Sequence, residues 1–402
     1  MPLLSFWDSN PEATDKLSIQ QIVGTAGDGK LRDNSQCSEE LRQYLQQVSS
    51  DKLAEYLDQC LADSFTDSGL VLQDLVNELG RRLDFSVSNG AYQGKKGAIG
   101  NDGLWVAPEG NSVVVEVKTT DAYRISLDTL AEYRRKLHDA NEIVGKSSIL
   151  LVVGRKDTGE IEAQVRGSRH AWDVRLISSD ALISLVRLKE NSEEKETATK
   201  IRSVLVPMEY TRLDALVDVM FTTAKDVESA VEAEPETGDD ADTSPKSKGT
   251  WEFTDSQLLQ QKREDIITAV AEKLDTKLIR KSRALYWDAA HEVRIACSVS
   301  KRYTKQGAYP YWYAYHPQWD EFLAEGSNGF FVLGCMDLEY AFAIPRSIMV
   351  ANLNNLNTTT KHNPEVTYWH VHLIEPSPGH FSLLLPKKSD SVPLDDYIIE
   401  LG

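Results

Sequence analysis

The sequence predicts an α/β core with a helical N-terminal extension, followed by a separate α+β domain with a mostly antiparallel sheet. Three observations predict this. Residues 69 to 188 alternate between helical and strand-like apolar patterns. Residues 226 to 249 are acidic and nearly devoid of large apolar side chains, which separates two globular parts. Beyond them, one amphipathic helix precedes a run of six strand-like segments.

In chain order, residues 1 to 68 read as helical. Leu41, Tyr44, Leu45 and Val48, then Leu53, Tyr56, Leu57 and Leu61, recur at three- and four-residue steps. Ser38, followed by Glu39 and Glu40, is the expected cap. The stretch from Gly24 to Leu31 superficially matches a phosphate-binding loop. Leu31 stands where such a loop needs Ser or Thr, and no apolar strand leads into it, so a turn between helices is expected.

The core begins at Gly69. Leu72, Leu75, Leu79 and Leu83 form one helical stripe, with Glu78 at its border. A first strand follows in Asp84 to Ser88, then a glycine-rich loop from Gly90 to Gly97 carrying Lys95 and Lys96. Glycine permits close backbone approach to a ligand, and the two lysines are candidates for phosphate contacts.

Next comes a hairpin: Gly103 to Pro108, a turn through Glu109, Gly110 and Asn111, and Ser112 to Thr119. Strand alternation puts Val114, Glu116 and Lys118 on one face and Val113, Val115 and Val117 on the other. A turn centred near Gly110 would set Lys118 across from Asp102, with Glu116 on the diagonal. Cross-strand neighbours lie about 5 Å apart and diagonals about 7–8 Å. Two carboxylates and an ammonium then converge. A divalent cation relieves the repulsion, and Mg²⁺ is held by one or two carboxylates while keeping several waters. A metal so held polarises a phosphoryl oxygen, and a nearby lysine orients water or stabilises charge.

With Glu78 on the preceding helix, Asp102 and the pair Glu116 and Lys118 resemble the PD-(D/E)XK nuclease superfamily. The resemblance covers residues 69 to 188, with Asn101-Asp102 where the family name has Pro-Asp. It implies a restriction-endonuclease-like fold and hydrolysis of phosphodiesters. It also implies Mg²⁺ (or Mn²⁺) held by Asp102 and Glu116, joined by Glu78, with Lys118 assisting. The expected role is restriction or phage defence in the cytoplasm, on DNA as duplex. A protein partner that gates activity, or a second copy of the chain, is compatible with this layout.

After Lys118 the sequence reads as a helix from Ser126 to Ala140 and a nearly all-apolar strand from Ser147. Two short segments follow, Ala163 to Gly167 and Val174 to Ser178, and then a helix capped by Ser179 or Asp180. Arg134 and Arg135 on the first of these helices are candidates for backbone contacts. Residues 189 to 225 connect onward, beginning with a charged linker.

The domain at residues 250 to 402 is locally basic in its first third, at Arg280, Lys281, Arg283 and Arg302 among others. Aromatics interleave, with Tyr309, Tyr311, Tyr313 and Tyr315 at strand spacing. Such a face stacks bases or, equally, is the core side of a sheet. His370 and His372 share a strand face but have no third ligand at suitable spacing, which argues against a metal site.

The net charge of −18 is an unusual balance for a nucleic-acid enzyme, so basic groups must be clustered locally. The four cysteines are far apart and form no C-x-x-C pair, which predicts reduced thiols and no zinc. The first 17 residues lack a signal-peptide pattern, and no stretch approaches the roughly 20 apolar residues that span a bilayer. Two function classes remain: a metal-dependent endonuclease whose C-terminal domain recognises target or partner, and a non-catalytic adaptor on the same fold.

Overall fold

The structure is a computed structural model that describes residues 3–62, 65–92, 99–119, 126–154, 159–192, 195–205, 256–303, 309–360 and 366–401. The acidic segment at 226 to 249 and the Lys95–Lys96 loop lie outside the described residues. The chain divides into two units, Met1–Asp226 and Val227–Gly402.

The first unit opens with short helices α1 (Leu3–Ser9), α2 (Pro11–Asp15) and α3 (Ile19–Thr25), then α4 (Gln36–Leu45) and α5 (Ser50–Ala62). Ser35, not Ser38, caps α4: its hydroxyl accepts from the Ser38 amide, while Ser38 itself is buried. Glu40 is also buried and accepts from the amides of Leu3 at 2.9 Å and Gly27 at 3.1 Å. A carboxylate thus occupies the glycine turn that mimicked a phosphate loop. That turn is tight: Gly27 and Gly29 have φ of +50° and +71°.

The helix α6 (Ser68–Arg82) leads into the sheet strands β1 (Ser86–Asn89), β2 (Gly103–Val106) and β3 (Ser112–Lys118). Then come α7 (Leu127–Asp139), β4 (Ser147–Val153), α8 (Gly159–Arg166), β5 (Val174–Ser178), α9 (Ser179–Asn191) and α10 (Lys195–Val204). The sheet order is β1-β2-β3-β4-β5, antiparallel through β3 and parallel from β3 to β5. This is an α/β fold. Val113, Val115 and Val117 face α6, α9 and the N-terminal helices in one core. Leu104 and Val114 face α7 and α8 in a second core. The N-terminal extension therefore shares a core with residues 69 to 188.

Three local expectations change. Residues 163 to 166, expected as an extended segment, are the end of α8, because Ile161 anchors a helix to the second core. The cap of α9 is Ser178, whose hydroxyl accepts from the Ala181 amide. The charged linker from 189 is largely helical because its charges have partners. Lys189 is buried against Asp84 at 2.9 Å, and Arg202 forms a hydrogen-bonded pair with Glu109.

Gly80 shows how closely α6 meets the sheet. A Cβ there would fall 2.5 Å from Trp105 Cε2. Trp105 is fully buried and donates from Nε1 to Asn77 at 2.9 Å, so it cannot retreat freely. Gly80→Ala is expected to destabilise the unit by about 1–3 kcal/mol through overpacking. Denaturant unfolding measures this, and an unchanged midpoint would show that the helix can shift.

The second unit begins with α11 (Ser256–Lys273), β6 (Ile279–Arg280), β7 (Leu285–Trp287), β8 (Val293–Ser300) and β9 (Tyr311–Tyr315). It continues with α12 (Pro317–Ala324), β10 (Asn328–Cys335), β11 (Tyr340–Pro345), α13 (Arg346–Asn352) and β12 (Asn357–Thr360). The last strands are β13 (Val366–Ser377), β14 (His380–Leu385), β15 (Asp390–Pro393) and β16 (Ile398–Glu400). One sheet runs β16-β11-β10-β8-β7-β6 and is antiparallel except between β8 and β10. The other runs β12-β13-β14-β15 with β9 also on β13, and is antiparallel throughout. The expected mostly antiparallel C-terminal domain is present. Tyr311, Tyr313 and Tyr315 are 0%, 1% and 0% exposed and form part of the core of this unit. Their hydroxyls are bound by Asp337, the Gly334 carbonyl and Asp320. The odd-numbered tyrosine face is therefore core and cannot stack bases. Among the described residues, no helix is long and apolar enough to cross a membrane.

Candidate active site

The hairpin register fixes the site. Gly103 pairs with Val115 and Leu104 with Val114, so continuing the ladder sets Asp102 beside Glu116 rather than across from Lys118. The shift is one step of turn geometry. Ala107 and Asn111 close the loop, and Gly110, at φ +89°, is its last residue rather than its centre. Left-handed glycine at that position is the usual closure of a three-residue hairpin loop.

Asp102 is partly buried, and its Oδ2 accepts from the Val117 amide at 2.7 Å. Its amide donates to the Val115 carbonyl at 3.0 Å. Its own carbonyl accepts from Gln73 Nε2 and Asn77 Nδ2, each at 2.9 Å. Two amide side chains of α6 thereby pin the backbone that carries the carboxylate. Glu116 is buried: Oε1 accepts from Lys118 Nζ at 2.5 Å, and Oε2 has no hydrogen-bond partner among the described residues. Burial, then the charge of Glu116, pushes the Asp102 carboxyl up to about 7, against the lowering pull of the Val117 amide and Lys118. Burial alone would lower the Lys118 ammonium, but Glu116, followed by Asp102, holds it above the usual lysine range. Tyr133 on α7 stands close by. A Cβ on Gly100 would fall 2.7 Å from its hydroxyl oxygen, and its phenol acts electrostatically on Lys118.

Asp102, Glu116 and Lys118 are thus brought together. Glu78 is not brought to them by any described hydrogen bond. It lies on the α6 side of the sheet, buried, and accepts from Arg82 Nε at 3.2 Å and Arg81 Nη1 at 3.5 Å. Arg82 continues to Ser50, Leu45 and Val48, so Glu78 is part of the joint between α6 and the N-terminal helices. Desolvation raises the Glu78 carboxyl, with Arg82 and then Arg81 opposing it. The printed partners of Glu78 tie it to the joint between α6 and the N-terminal helices rather than to Asp102 or Glu116. The change Glu78→Gln is expected to lower thermal stability and leave Mg²⁺ affinity unchanged. Calorimetric titration decides this: a large loss of affinity at retained fold would return Glu78 to the site.

The pair Asp102 and Glu116 fits a divalent cation. The test is Glu116 Oε2, a buried charged oxygen without a partner, beside a second carboxylate. Buried polar atoms are almost always satisfied, and an exception calls for a missing ligand, ion or water. Among the described residues no three His, Cys, Asp or Glu side chains converge. Two carboxylates could hold a hard divalent cation that keeps several of its own waters.

The other expected contacts divide. Lys95 and Lys96 lie outside the described residues. Arg134 donates to the Ser147 carbonyl at 3.2 Å and pairs with Asp173 at 3.0 Å, a structural use, while Arg135 is exposed. In the second unit Arg302 is taken up by Asp337 at 2.7 Å and Glu375 at 2.8 Å. Lys281 lies over the Trp287 ring at 4.1 Å, and Arg280 donates to the Ser282 carbonyl at 3.3 Å. Arg283 is half-buried. The two carboxylates offset the positive charge of the Arg302 guanidinium locally. Both ring nitrogens of His370 have hydrogen-bond partners. Its Nδ1 accepts from Trp312 Nε1 at 3.1 Å, and its Nε2 meets Thr359 Oγ1 at 2.8 Å. All four cysteines are free and buried.

A scan against protein-family models and a search of curated proteins each return no match to this chain.

Proposed function

We propose that the chain is a Mg²⁺-dependent endonuclease of the PD-(D/E)XK kind that hydrolyses phosphodiesters of DNA. The observation that carries this reading is the single cluster of Asp102, Glu116 and Lys118, with one buried Glu116 oxygen left without a partner. The element order α6, β1 to β3, α7, β4 supports a restriction-endonuclease-like core. Asp102 and Glu116 would hold the cation (Mg²⁺, with Mn²⁺ as substitute). When bound, it supplies Lewis-acid polarisation of a phosphoryl oxygen and a lowered pKa for water. Lys118, held as an ammonium by Glu116, supplies a positive charge and proton donor toward the reacting phosphate. Gln73 and Asn77 keep Asp102 in place, and Tyr133 closes the side toward α7. A restriction or phage-defence role, with residues 250 to 402 recognising the target, extends this reading.

The test is cleavage of plasmid, linear duplex, single-stranded DNA and RNA, with Mg²⁺ and with chelator. The proposal expects cutting of DNA that the chelator stops. Absence of cutting on all four, with the Mg²⁺ site shown loaded by calorimetry, would favour the adaptor reading.

A further inference from the structure

The second sheet of the C-terminal unit has two faces of different character. Tyr311, Tyr313 and Tyr315 of β9 and Val371 and Leu373 of β13 are core, with Trp369 packed against them. The pairing registers put Trp312, Ala314, Thr359, Tyr368, His370 and His372 on the opposite face. There Trp312, Tyr368, His370 and His372 are half-exposed. Their rings are arranged rather than scattered. Trp312 meets Tyr368 at 6.0 Å and His370 at 5.8 Å, both edge to face. The imidazoles of His370 and His372 are near-parallel, 15° between planes, at 6.1 Å. Tyr309, which is 43% exposed, closes the row against His372 at 4.7 Å.

Two properties of this face select its occupant. First, no carboxylate or ammonium occupies a paired strand position on it among the described residues. In a chain of net charge −18 it is a stretch of surface that does not itself repel a polyanion. At those positions it presents flat rings rather than charges, which suits a ring system. Second, the rings are locked and one polar group is left over. Trp312 Nε1 and Thr359 Oγ1 fix both nitrogens of His370. His372 Nδ1, in contrast, is buried without a hydrogen-bond partner among the described residues. Burial and the neighbouring His370 hold the His372 ring neutral, down to about 4. Uncharged imidazoles beside flat aromatic rings suit a neutral heteroaromatic ring.

We infer that this face, built from Trp312, Tyr368, His370 and His372 with Tyr309 at its end, takes an unpaired nucleobase of the substrate. The inference rests on the reading that the chain acts on nucleic acid. It moves recognition from the buried tyrosine row to the opposite side of the same strands. Stacking on an aromatic platform is tolerant of sequence and needs a base outside the duplex stack.

The experiment uses the full chain carrying Asp102→Asn, without metal, so that binding is measured apart from cleavage. Fluorescence anisotropy compares a single-stranded oligonucleotide, a blunt duplex and an abasic oligonucleotide of equal length at low salt. The single strand is expected to bind at least about fivefold tighter than either of the others. Tyr368→Ala and His372→Ala should each lose about that factor on the single strand and nothing on the abasic one. Tyr368→Phe, which keeps the ring and guards against a folding artefact, should bind as the parent does. Equal binding of abasic and normal strands, or no effect of Tyr368→Ala in a folded protein, overturns the inference. So does absence of oligonucleotide binding at any salt, which would leave the face as a protein interface. Cleavage by the unmodified chain is scored separately, so failure of the platform and failure of the nuclease reading are told apart.

Discussion

Asp102→Asn, Glu116→Gln and Lys118→Ala are each expected to lower the proposed metal-dependent cleavage by about a thousandfold or more, a loss typical of groups acting together on one transition state. Their other properties differ, and the difference is the test. Glu116 Oε2 is buried without a partner, and Asp102 stands beside it in the same ladder. Neutralising either acid removes a repulsion, so Asp102→Asn and Glu116→Gln should unfold at the parent's temperature or above it when metal is absent. Both should lose Mg²⁺ binding. Lys118→Ala strips Glu116 of its ion pair at 2.5 Å and is expected to lower stability modestly. It should still bind Mg²⁺ and DNA while turnover is lost. Calorimetric titration with thermal unfolding separates the three. Normal cutting by the Lys118 variant would end the proposed mechanism, and undisturbed Mg²⁺ binding by the Glu116 variant would move the metal elsewhere.

The hairpin was legible because strand alternation is local: the valine face and the Glu116-Lys118 face follow from spacing alone. The register was not, because a one-residue slide of the turn decides it, and Gly110 closes the loop rather than centring it. The ion pairs of Glu78 do have a local signal. Arg81 and Arg82 stand three and four residues further along the same helix, the spacing at which opposite charges meet. Gln73 and Asn77 carry no such signal, since they reach Asp102 from 29 and 25 residues away. The tyrosine row was ambiguous in principle. Alternation says which residues share a face, but only packing of the sheet says which face is inside. The charged stretch from 189 looked like a linker because its partners Asp84 and Glu109 are remote in sequence.

In metal-free protein, Asp102 is expected to contribute stability that falls as pH rises from about 4 to about 7, and Asp102→Asn to remove that contribution. The folded protein holds the Asp102 carboxyl up to about 7, by burial first and the Glu116 charge second. An unfolded aspartate titrates near 3.9. Between these values the folded state keeps a proton that the unfolded state has released. The contribution is therefore fully present below about pH 4 and lost as pH passes through about 7. Three pH units at about 1.4 kcal/mol each set its upper size at about 4 kcal/mol. Other groups titrate in the same range, so the measurement is the difference between the parent and Asp102→Asn in chelator, by denaturant unfolding at pH 5 and pH 8. The parent should lose more stability than the variant over that interval. Mg²⁺ should restore the parent at pH 8 more than at pH 5, because protons compete with the cation for the same oxygens. The variant should gain little at either pH. Parallel pH curves for parent and variant would mean that Asp102 is ionised throughout. The crowding of carboxylates that motivates a cation at this site would then be absent.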